Sequence, residues 1–165
     1  MVSLLLFSLC ARAEVIDRVV AVVEEQLITA SDVALEADLS RIDTSPVPFW
    51  SRSHGDALHR LIDAAVIREI ARDVALYKPS DEQIGARLAT MREGLADRDS
   101  WHGFLSGRGL DEEALRAVME RRMVVEAYLL RNIAVSPTDE AQFIEVVDAT
   151  LAPWEDRLRI RQVAP

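Results

Sequence analysis

The sequence predicts a mainly α-helical domain with a small β-hairpin or short sheet, an α+β chain of about five to six helices. Three observations carry that prediction. Two long segments, 57–76 and 111–133, place apolar residues three and four apart, the spacing of one buried helical face. A β-branched apolar run from Val15 to Val23 is interrupted by Glu24-Glu25-Gln26 and resumes as Leu27-Ile28-Thr29, which reads as the two strands of a hairpin. The tail Arg157-Leu158-Arg159-Ile160-Arg161-Gln162-Val163 alternates charged or polar with apolar residues, the period of a strand with one face buried. A lone strand has to pair, and the hairpin is the other strand candidate.

In chain order, residues 2–10 form an apolar run too short to span a bilayer, closed by the small-x-small triplet Ala11-Arg12-Ala13. This pattern predicts a signal peptide over residues 1–13 and hence an exported, periplasmic protein. Leu9 before Cys10 argues against lipid attachment, which favours a small residue there. With the leader goes Cys10, the single cysteine, so neither a disulfide framework nor a thiolate metal site is expected.

After the hairpin, Thr29 or Ser31 can cap a first helix that buries Val33, Leu35, Leu39 and Ile42. Asp43 to Gly55 holds Pro46, Pro48 and several serines and reads as a loop carrying Phe49 and Trp50. From Ala57 to Leu76, Leu58, Leu61, Ile62, Ala65, Val66, Ile70 and Val74 share one face of a long helix that Pro79 stops. Ser80-Asp81-Glu82-Gln83 is a capping box ahead of a helix lined by Ile84, Leu88, Met91 and Leu95. A short segment, 98–106, presents Trp101, Phe104 and Leu105 and closes at Gly107-Arg108-Gly109. Asp111 then caps a second long helix, with Leu115, Val118, Met119, Met123, Leu130 and Ile133 inward, able to pair with the first long one. A last helix is expected to start at Ser136-Pro137-Thr138-Asp139 and to end at Pro153. The division expected is a leader (1–13), a domain (14–151) and a tail strand (152–165).

Half of the residues are hydrophobic, enough for a real core, and the formal net charge is −9. Lys78 is the single lysine, and the arginines are spread along the helices. That distribution argues against nucleic acid or an anionic membrane surface as partner, since both reward clustered cations. No catalytic constellation emerges. His54 and His59 stand five apart at a helix start and are expected to point apart, and His102 is remote, so no metal ligands and no cofactor are expected. Gly107-Arg108-Gly109 lacks the context of a phosphate loop, and no nucleophile elbow is present.

The order of these elements and their residues resemble the N-terminal domain of the SurA-type periplasmic chaperones. The likeness lies in VIDRVVAVVEEQLITASDV (15–33), RLIDAAVIREIARDVAL (60–76), SDEQIGARLATM (80–91) and WHGFLSGRGLDEEALRAVMERRMVVEAYL (101–129), and so covers nearly all of the chain after the leader. In that family a segment like 135–151 leads into a parvulin prolyl-isomerase domain whose first strand resembles RLRIRQV (157–163). The resemblance implies an ATP-independent chaperone for unfolded outer-membrane or secreted polypeptides, with no isomerase activity expected from the residues present. Phe49, Trp50, Trp101 and Phe104 are the aromatics offered for peptide contact, although each also fits the core, and the core reading takes precedence. The alternatives are the substrate-binding part of a split prolyl isomerase, or an assembly subunit with one dedicated partner. An apolar face left unfilled by the family's returning helix predicts a homodimer.

Overall fold

Thr29 is at once the last residue of a strand and the cap of a helix, and this shared residue sets the geometry of the N-terminal half. Its Oγ1 accepts from the Asp32 N–H at 3.2 Å, while the Asp32 carboxylate accepts from the Thr29 N–H at 2.9 Å. The computed structural model describes residues 17–95 and 101–163. Its elements run β1 (Val19–Val23), β2 (Gln26–Thr29), α1 (Ala30–Ile42), α2 (Ala57–Ala71), α3 (Asp81–Leu95), α4 (Trp101–Ser106), α5 (Glu112–Asn132), α6 (Glu140–Glu155) and β3 (Ile160–Gln162). The fold is therefore mainly helical with a small antiparallel sheet. The expected leader, with Cys10, lies outside the described residues.

The sheet has the order β2-β1-β3, with the tail strand antiparallel to β1 in the register Val23↔Ile160 and Ala21↔Gln162. Glu24, at the hairpin turn, has φ of 51°, a left-handed conformation that glycine or asparagine would adopt more readily. Arg159 compensates: its carbonyl accepts from the Glu24 N–H at 3.0 Å, and its guanidinium donates to the Glu24 carboxylate at 2.8 Å.

Two apolar cores follow. One joins the sheet to α2, α6 and the C-terminal half of α5, and includes Val23, Ile28, Ala65, Ile67, Leu129 and Phe143. The other joins α1, α3 and α4 to the N-terminal half of α5, through Leu39, Met91, Leu115 and Met119. Helix α5 belongs to both, and α2 packs on it as its long partner.

Helix boundaries differ from expectation at three places. The first long helix stops at Ala71, not Leu76: the N–H of Arg72 bonds Glu69 and that of Val74 bonds Ala71, both one residue tighter than α-helical bonds, and a 3₁₀ turn follows at Ala75–Tyr77. Tyr77 then packs edge-on against Tyr128 with centroids 5.6 Å apart, which continuation of the helix would forbid, and Leu76 is left exposed. Helix α6 starts at Glu140 because Asp139, not Ser136, supplies the cap, its Oδ1 accepting from the Gln142 N–H at 3.3 Å. Pro153 lies inside the last turn of α6 rather than ending it, and the helix closes at Glu155.

Candidate functional site

A groove runs along α1 and α5. At one end, beside the turn that links α4 to α5, an open hollow of about 550 Å³ is lined by Leu35, Leu110, Ala114, Ala117 and Val118, with Asp32, Arg108 and Arg121 beside them. At the other, a 370 Å³ hollow reaches Leu27, Leu39, Leu61 and Trp50. The two ends share Asp32, Leu35, Val118 and Arg121, so they form one continuous depression. Leu27 stands 62% exposed at its lip. Burial, reinforced by the charge of Arg121, pushes Arg68 in this groove down to about 10, and Arg68 donates to Gln26 Oε1 at 2.7 Å. Alanines in the floor leave room for incoming bulky side chains, and the guanidinium groups suit carbonyl and carboxylate acceptors.

The four aromatics named for peptide contact do not line up along that groove. Phe49 and Trp50 form a 3₁₀ turn (Pro48–Trp50), are buried, and meet edge-to-face at 4.7 Å; Phe104, within α4, is buried in the second core. Proline at the first position of the turn fixes φ and directs both rings inward. The core reading holds for these three in this structure. Trp101 is partly exposed and stacks on Phe104 with centroids 6.1 Å apart. Only Trp50 reaches the groove, as part of its wall.

Behind that wall lies a buried ionic network that sequence reasoning did not anticipate. Arg122 bonds Glu36 and reaches Asp43 at 3.2 Å, Arg60 donates to Glu36 at 3.0 Å, and Arg87 bridges Asp43 and Glu126, the latter at 3.2 Å. Ser45 Oγ donates to Glu126 at 2.8 Å, and the Arg122 guanidinium lies 4.0 Å from the Trp50 ring centre. Desolvation by burial holds the carboxyls of Glu36 and Glu126 above the ordinary range, although the facing arginines pull both down. These groups tie α1, α2, α3 and α5 together; their partners are complete, which marks them as structural.

A second polar cluster corrects an expectation. His54 and His59 do not point apart: their ring centroids are 5.4 Å from each other. The spacing argument put both on one helix, whereas α2 begins at Ala57 under an Asp56 cap and His54 precedes it in a turn. Gly55, at φ of 63°, reverses the chain there, and a Cβ at this position would lie 2.4 Å from His59 Cδ2. His59 and Asp63, four apart, then share a face of α2, and Asp148 arrives from α6. Their donor atoms all lie within 4.8 Å of one another, making this a group able to hold a metal ion.

No protein-family model matches the chain, and no curated protein matches it either. No helix among the described residues is long and apolar enough to cross a membrane.

Proposed function

We propose that the chain is an exported, ATP-independent chaperone module that holds unfolded outer-membrane or secreted polypeptides in the groove along α1 and α5. The observation that carries this reading is the groove's mixture of a small-residue apolar floor and an arginine-bearing rim. An extended segment would place large apolar or aromatic side chains over Ala114 and Ala117 and its backbone carbonyls near Arg121, while Arg108 stays bonded to Asp38 and the Phe104 carbonyl. Contacts of this kind are weak and repeated, which lets a client leave without energy input. The net charge of −9 disfavours nucleic acid in the same groove.

The test is light scattering from a urea-diluted outer-membrane β-barrel protein, with and without the chain. Suppression near stoichiometric ratios is expected, and Ala114→Arg and Ala117→Arg, which fill the floor from half-buried positions, are expected to abolish it. A folded helical sample that leaves scattering unchanged would overturn the reading in favour of a single dedicated partner.

A further inference from the structure

His54 is held by its backbone-facing nitrogen. Nδ1 lies 2.9 Å from the Phe49 carbonyl oxygen, and since a carbonyl can only accept, Nδ1 carries the hydrogen. Nε2 is left facing Asp148 Oδ1 at 3.2 Å and Asp63 Oδ2 at 3.3 Å. A bare nitrogen lone pair opposite two carboxylate oxygens is repulsive, so a proton or a metal cation has to lie between them. A single proton on Nε2 has to be shared between Asp148 and Asp63, and neither oxygen of Asp63 makes a well-formed hydrogen bond although its side chain is only 2% exposed. His59 Nε2 is the third group at that spot, 3.3 Å from the same Oδ2. A cation would satisfy all four.

We propose that His54 Nε2, His59 Nε2, Asp63 and Asp148 form a binding site for one divalent transition-metal cation, with zinc the best fit. Ligands ~2.0–2.1 Å from a tetrahedral zinc lie about 3.3–3.4 Å from each other. Three of the six donor–donor separations, 3.2, 3.3 and 3.3 Å, are already at that spacing, and all four donor atoms lie within 4.8 Å of one another. Two imidazoles among four ligands disfavour calcium and magnesium, which take oxygen donors. The Phe49 carbonyl orients His54 as outer-shell acceptors orient zinc-bound histidines. His59 and Asp148, with side chains 49% and 53% exposed, provide the entry path to the buried pair. Four protein ligands close the tetrahedron, so the ion clamps the Pro48–Trp50 turn to α2 and α6 and offers no open position for chemistry.

The test uses the untagged full chain, stripped with a chelator and titrated with zinc chloride by calorimetry, with cobalt(II) as a spectroscopic probe of tetrahedral geometry. One equivalent per chain is expected, and at a hundredfold excess over Kd the melting temperature rises by roughly 5–10 °C. His59→Ala and Asp148→Asn, at exposed positions where folding is secure, each weaken binding by about tenfold or more, while His102→Ala changes nothing. Binding of the unaltered chain no tighter than that of the H59A/D148N double variant, or binding lost in H102A, would overturn the site. Neither result touches the scattering assay, so this proposal and the chaperone reading fail separately.

Discussion

Two buried polar clusters meet α2 at neighbouring positions, Arg60 and Asp63, and treat their charges differently. Around Arg60, three guanidinium groups face three carboxylates, and each carboxylate has a bonded cation. Around Asp63, two carboxylates face two imidazoles, and the most buried acceptor has no hydrogen bond. A closed network is a fastener: its charges answer each other, and removing one strands the rest. An open cluster is a receptor, because its missing partner has to come from solution.

Breaking the closed network should give the largest effect. Arg122→Ala takes one of two cations from Glu36 and one of two from Asp43 and uncovers Trp50, so a loss of about 3–5 kcal/mol in urea unfolding is expected. Gly55→Ala forces a side chain into a left-handed position and against His59; about 1–2 kcal/mol should be lost, together with the zinc response. The pH dependence of the closed network has a definite sign. Folded Glu36 and Glu126 titrate above the ordinary value of 4.5, so their contribution is full below that pH and is lost as pH rises through the folded values. Glu126→Gln removes one such titration, and the urea midpoint should then fall less steeply with rising pH; an unchanged slope would show that Glu126 titrates normally. At the open cluster, Asp63→Asn in chelator-treated protein should change stability by less than about 1 kcal/mol while abolishing zinc stabilisation. A cost comparable to Arg122→Ala would make Asp63 one more fastener and erase the contrast. Smallest of all is Glu140→Gln: the hydroxyls of Ser51 and Ser53 hold this carboxyl below its usual range, but the group is exposed, and less than about 0.5 kcal/mol is expected.

Local signals in the sequence located nearly every element, because caps and periodicity are written within a few residues. The Ser80–Gln83 capping box forms as read, with Gln83 N–H donating to Ser80 Oγ at 3.2 Å, and Asp111 caps α5 by accepting from the Ala114 N–H at 2.7 Å. The tail strand also pairs as its alternation required. What sequence could not give were groupings made by tertiary packing. Arg60, Arg87 and Arg122 look like surface charges of amphipathic helices, since each carboxylate partner is 24 or more residues away. The glycine between His54 and the Asp56 cap was the available hint that the two histidines belong to different local structures. Asp148 offers no hint at all, because nothing within α6 marks which face meets α2.

The pairing of β3 with β1 sets an order of assembly. Val23 and Ile160 are opposite each other in the sheet yet enclose most of the chain, and closing a loop of about 140 residues costs roughly 4 kcal/mol of chain entropy. The β1–β2 hairpin can form within microseconds from neighbours in sequence. Its outer edge then stays open, with unpaired N–H and C=O groups, until Ile160–Gln162 arrive and Arg159 locks the Glu24 turn. Strand β3 is thus the one that seals β1, and hydrogen exchange along β1 should report that step of folding.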